Sequence, residues 1–322
     1  MALAWHKNNK KWSQNTAGRL LASMNNHIFP VIGHLSVTEL KPHHFIDLLK
    51  GIEEKGLLEV ASRTRQHLSN IMRHAVHQGF IDTNPAANLD GVTAPPMRHH
   101  YPALPLERLP ELIEHIEAYH QGRELTRLAV LLTLHLFIRS SELRFARWSE
   151  IDFINRIWTI PATREAIVGV RYSGRGAKMR TAHIVPLSQQ AIAILKRIKE
   201  ISGAYELVFP GDHNPYRPMC ENRVIKHWPY GIRHETGHLR DMAFGQWHAS
   251  ALMESGLWSQ DAVERQMSHQ ERKPCVWLTF IRLSIWEARK AMMQWWSDYI
   301  DTCRVAYVPP FNTGPDKNNE AA

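Results

Sequence analysis

The stretch that most constrains this chain is Leu131–Asp152, LLTLHLFIRSSELRFARWSEID. An apolar run, Ala129–Ile138, broken by Thr133 and His135, delivers a single arginine at its end. Ser140 or Ser141 can cap the helix that follows, and Glu142 suits its first turn. Arg139 therefore sits at a helix–helix junction, where its side chain can point into a cleft. The local pattern by itself favours a structural arginine, paired with Glu142 or capping the preceding helix, since lone arginines are usually structural.

Upstream, residues 1–89 read as short helices. Thr16 can cap Ala17–Met24, Pro42 opens a helix that stops at Gly56, and Ser62 opens Arg63–Gln78, which stops at Gly79. In this last helix Leu68, Ile71, Met72, Ala75 and Val76 form one apolar stripe. Arg63, Arg65 and Arg73 lie mostly off the stripe, on a face that is solvated or lies along phosphates. Residues 90–105 carry four prolines and no periodicity, the pattern of an extended linker. A second domain spans 106–300. Two helices, Leu106–His120 and Arg123–Phe137, precede the central stretch. Strand signals follow at Ile151–Phe153, Ile157–Ile160 and Ala182–Pro186, and helices return at Ser188–Ile201 and near the C-terminus. Residues 301–322 read as a flexible tail. The fold class is mainly α with a small antiparallel β-sheet: a helical domain followed by a mixed α+β domain.

The net charge of +8 is dispersed through an otherwise ordinary globular composition. A folded basic chain points to an anionic partner, nucleic acid first. Three cysteines without short spacing exclude a disulfide scaffold or a cysteine zinc site and fit a reducing cytosol. No apolar run reaches the ~20 residues of a membrane span.

Four ordered strings, RSSELRFARWSEID, AKMRTAHIVPLS, DAVERQMSH and KAMMQWWSDYID, resemble the tyrosine recombinases of the phage and genomic-island integrase type. The resemblance covers nearly the whole chain, which starts where the core-binding domain of that family would start. It implies a helical core-binding domain and a mixed catalytic domain acting on double-stranded DNA at attachment sites. It also implies homo-oligomers on DNA, no metal or nucleotide cofactor, and a cytoplasmic, nucleoid-associated bacterial protein. A tyrosine hydroxyl in that family attacks a phosphodiester and forms a 3′-phosphotyrosyl link. Two arginines hold the non-bridging oxygens, a hairpin lysine protonates the leaving oxygen, and histidines shuttle protons. By motif, Arg139 is the first arginine, Lys178 the hairpin lysine and His269 the late histidine.

Two pieces of the family pattern are missing. No His-x-x-Arg precedes ALMESGLWS, and no tyrosine follows His269 by about ten residues. Both gaps read as segments translated out of frame. Met242–His248 can be encoded within a string whose other frame spells HGFRAMAC. Trp277–Ile285 can be encoded within one whose other frame spells AYIHKAEH. The lost tyrosine codon would span Leu278 and Thr279, and the family pattern resumes at Ala249 and Glu287. A threonine at that place lacks the reach and acidity of a tyrosine, so the expected product is a recombinase relative that cannot cleave. The alternative is a binding-only remnant. A more distant alternative is a zinc peptidase, because His234-Glu235-Thr236-Gly237-His238 matches H-E-x-x-H. Pro229, Gly231 and Gly237 speak against the helix that this motif needs.

Overall fold

The computed structural model describes residues 1–9, 12, 14–96, 105–119, 123–177, 180–220, 249–268 and 278–313. The chain divides into two compact units, Met1–His100 and Tyr101–Ala322.

The first unit is all helix: α1 (Ala2–Asn8), α2 (Gln14–Ser23), α3 (Phe29–Ile32), α4 (Pro42–Glu53) and α5 (Leu58–His77), with a π-helical turn at Met24–Ile28. Helix α4 starts on Pro42, whose fixed φ and missing N–H suit a first turn. Helix α5 begins at Leu58, ahead of the expected Ser62, so Ser62 lies inside it and caps nothing. Its buried residues Ala61, Leu68, Ile71, Met72 and Ala75 recur at helical spacing, and the first four pack with Phe45, Leu49 and Met24.

The second unit is mixed. Helices α6 (Leu109–Glu117), α7 (Glu124–Leu136) and α8 (Ser140–Arg144) lead to a three-stranded antiparallel sheet, ordered β1 (Ile151–Asp152), β2 (Ile157–Ile160), β3 (His183–Pro186). Ile157 pairs with Pro186 and Ile160 with His183. Among the described residues, α9 (Gln189–Ser202), α10 (Gln260–Gln266) and α11 (Leu278–Thr302) come after the sheet, and residues 249–254 are also helical. Ser188 and Ser259 cap α9 and α10, each accepting a backbone N–H from the first turn of its helix.

Helix α7 is buried on every side from Leu128 to Leu136. It can be so because α6 and α11 cover one flank while the sheet and α9 cover the other. Its polar interruptions are satisfied internally. Thr133 donates its hydroxyl to the Ala129 carbonyl, and His135 Nδ1 lies 2.9 Å from Ser297 Oγ. Ser297 Oγ lies 2.7 Å from Ser188 Oγ, so the buried imidazole joins a short chain of hydroxyls.

A buried ion pair fastens the end of β2 to the turn that precedes β1. Arg164, just past β2, forks onto Glu150 with contacts of 2.6 and 2.8 Å. Trp158 Nε1 donates to the same carboxylate, and Arg164 also reaches the backbone carbonyls of Glu142 and Arg175. Beyond α11, where a flexible tail was expected from residue 301, the chain is described to Thr313. Tyr299 donates its hydroxyl to the Val308 carbonyl at 2.8 Å, Trp295 Nε1 donates to the Thr313 carbonyl, and Pro310 is buried.

Candidate active site

Arg139 is presented by a sharp stop. Helix α7 ends because Phe137 adopts a left-handed conformation, φ 57°, while its N–H still closes onto Thr133. A non-glycine residue held there stores about 1–2 kcal/mol of local strain, which the surrounding packing must offset. The Phe137 ring does so against Trp296, at 5.1 Å between centroids. Two residues on, the backbone of Arg139 is extended and forms the N-cap position of α8. Neither Ser140 nor Ser141 caps this helix. Glu142, buried in its first turn, reaches back instead and accepts the Arg139 backbone N–H at 3.1 Å.

The guanidinium of Arg139 is held from two sides. Nη1 donates to Glu142 Oε1 at 3.3 Å, and Nη2 donates to the Met267 carbonyl at 3.1 Å. Arginine has five N–H donors, and these contacts use two. The side chain keeps about a quarter of its surface exposed (27%), so the rest of the fork can reach a ligand from solvent. The pairing with Glu142 that the local sequence suggested is present, and the guanidinium stays partly exposed beside it.

The Met267 carbonyl belongs to the end of α10, where Ser268 takes a left-handed φ of 57°. The preceding residue, Gln266, is buried and donates its side-chain amide to the Leu136 carbonyl, one of the open carbonyls at the end of α7. Its oxygen receives two bonds from Arg289 of α11, at 2.7 and 3.2 Å. Arg289 Nη2 also donates to the Ile184 carbonyl on β3 at 2.6 Å. Beside them His183, on β3, is buried, and its pKa falls to about 4. Burial is the main cause, and the positive charges of Arg289 and Arg139 add to it. The imidazole is neutral at physiological pH.

Lys178 and His269 lie outside the described residues, as does the His234–His238 motif. Leu278 and Thr279, at the expected nucleophile position, fall in the first turn of α11. Among the described residues no group of three or more His, Cys, Asp or Glu side chains could hold a metal ion, and no helix is long and apolar enough to cross a membrane. In the first unit, Arg63 pairs with Glu59 at 2.7 Å, Arg65 pairs with Asp90, and Arg73 is exposed.

Sequence reasoning missed His183, Gln266 and Arg289. Arg289 had a legible signal: it occupies the first place of the stripe Arg289, Met292, Met293, Trp296, the spacing of a buried helix face. A charge in that place marks a buried contact.

Comparison with known proteins identifies the family. Residues 1–92 match the model of the phage integrase central domain, and residues 103–274 match that of the phage integrase family. The putative protein IntB of Escherichia coli K12 is 49% identical over 316 residues, covering 97% of this chain and 78% of that protein. The integrase of Enterobacteria phage P4 is 46% identical, covering 96% and 70%. Among solved structures, a lambda integrase dimer bound to a COC′ core site superposes with a TM-score of 0.61 at 17% identity, over 89% of this chain and 93% of that one. The Tn1549 transposon integrase with a circular intermediate DNA superposes with a TM-score of 0.65 at 16% identity, over 91% and 97%. By domain match, by identity over nearly its full length and by fold, the chain belongs to the phage integrase family of tyrosine recombinases.

Proposed function

We propose that this chain holds duplex DNA as a recombinase does, with Arg139 on a backbone phosphate, and does not complete strand cleavage. The observation that carries it is the segment between His269 and Glu287, which contains no tyrosine. Without a phenol at that place no phosphotyrosyl bond forms. Tyr299 does not replace it: its ring is buried, burial pushes its pKa up, and its hydroxyl is committed to the Val308 carbonyl. Tyr230 lies outside the described residues.

In this reading the helical first unit is the core-binding domain, with Arg63, Arg65 and Arg73 facing phosphates and Arg65 exchanging Asp90 for DNA. In the second unit Arg139 supplies a bidentate grip on non-bridging oxygens. Lys178 and His269 are assigned by motif to the leaving oxygen and to proton transfer, steps this chain does not reach. The DNA partner is an attachment site, approached as a homo-oligomer.

A nicked suicide duplex pool tests the proposal. The chain should shift the duplex in a native gel, with affinity that falls steeply as salt rises, and leave no covalent adduct under denaturing conditions. A trapped adduct, or a folded chain that does not bind duplex DNA, would overturn it.

A further inference from the structure

We propose that Arg289 is a positioning residue for the phosphate site: through Gln266 it fixes the end of α10, and thereby the Met267 carbonyl from which Arg139 takes its aim. The inference rests on the proposal that Arg139 contacts DNA phosphate.

The linkage is continuous. Arg289 places two hydrogen bonds on the Gln266 side-chain oxygen, and the Gln266 amide donates to Leu136, three residues before Arg139. Gln266 is followed by Met267, whose carbonyl accepts from Arg139 Nη2. One glutamine side chain therefore joins the two chain segments between which Arg139 is held, and one guanidinium locks that glutamine. The third donor contact of Arg289, to the Ile184 carbonyl, ties the lock to β3 beside His183.

Arg289 is 8% exposed. Its bonds among the described residues go to neutral oxygens, with Trp286 below the guanidinium at 5.6 Å. An arginine is rarely buried in this way, because neutral acceptors recover only part of its hydration. A methionine would fill the stripe as well as its neighbours Met292 and Met293 do. What a methionine could not do is hold the Gln266 oxygen, at the end of α10, together with the Ile184 carbonyl on β3. Arg289 is also too enclosed to touch DNA itself, so its effect on binding must pass through Arg139.

The test is the salt dependence of duplex binding by the full chain, measured by fluorescence anisotropy on a short labelled duplex between about 50 and 200 mM NaCl. Each lost phosphate contact lowers the slope of log affinity against log salt by about 0.9, so a variant lacking one contact loses about three- to fourfold less affinity across that range than wild type. R139A should show this decrease. R289M should show the same decrease, and the double variant no more than either. A merely structural role for Arg289 changes the melting temperature and leaves the slope alone. Should R289M lose its cooperative melt, R289K, which keeps the charge and can reach only part of the acceptor set, is read by the same criteria. If R139A lowers the slope and the Arg289 variant does not, or if the two decreases add, the inference is overturned while the phosphate role of Arg139 stands. If R139A itself leaves the slope unchanged, both fall.

Discussion

Among the described residues of the second unit, two histidines are buried uncharged, and stability is tied to their protonation. His135 and His183 both have a pKa lowered to about 4 in the folded chain, against about 6.5 when unfolded. Burial is the first cause for each. For His135, Asp301 works against the shift and Arg304 adds to it. The unfolded chain therefore takes up protons between pH 6.5 and 4 that the folded chain refuses. Stability falls as pH drops through that window and levels off below it, by up to about 3 kcal/mol per histidine. Urea melts at pH 7, 5.5 and 4 should show the decline, and H135Q should show a smaller one; equal declines would remove His135 as a contributor. The Tyr299 hydroxyl donates to the Val308 carbonyl and also meets the Cys303 thiol, both within the packed end of the second unit, so Y299F should cost about 1 kcal/mol in the same melts and leave duplex binding unchanged. Residues of this kind divide by legibility. Arg139 stood out because a lone charge ended an apolar run. Arg289 was visible only as a charge within an apolar stripe, and Gln266 gave no sign, since its partners come from segments far apart in sequence.

Among the elements, the loop between β2 and β3 carries the tightest constraint. A side chain on Gly176 would place its first carbon 1.9 Å from the Pro161 carbonyl, the group that accepts the Ala177 N–H at 2.8 Å. G176A should push this loop off the end of β2 and destabilise the unit by about 1–3 kcal/mol, read as a lower melting temperature. Breaking the Glu150–Arg164 pair should cost more. Arg164 is 1% and Glu150 6% exposed in their side chains, so E150A leaves a buried guanidinium without its carboxylate, at a cost of about 3–5 kcal/mol. The elements themselves were largely legible. Periodicity, Pro42, Ser188 and the hairpin signals placed α2, α4, α6, α7, α9 and the three strands within a few residues, whereas α1, α3 and α10 were not marked. The other misses are at starts: α5 began early because its first turn is buried by Ala61, and α8 took its cap from Glu142 because Arg139 occupies the capping position.

At the scale of the molecule, the fold and the family were legible because four motifs occur in order; the reaction was not, because it depends on two segments that depart from the pattern. The coding sequence should spell HGFRAMAC and AYIHKAEH in a second frame across Met242–His248 and Trp277–Ile285. Codons that do not would refute the frame-shifted origin. A gene repaired in both segments should yield a covalent adduct on a nicked duplex, and the same repair carrying R139A should not. An adduct from the unrepaired chain would contradict the proposed loss of cleavage.

The wiring of the sheet also sets an order of events in time. β1 and β2 are joined by the short turn 153–156, where Asp152 accepts the backbone N–H groups of Ile154 and Asn155. β2 and β3 are joined across residues 161–182. Closing the longer loop costs about 1.5 kcal/mol more chain entropy than closing the shorter. The first hairpin is therefore the early partner during folding and the last strand docks late. In pulsed hydrogen exchange, amides bonded between β1 and β2 should gain protection before those between β2 and β3. The late step is the one that brings His183 and the Ile184 carbonyl to Arg289, so the arginine's surroundings are completed at the end of folding.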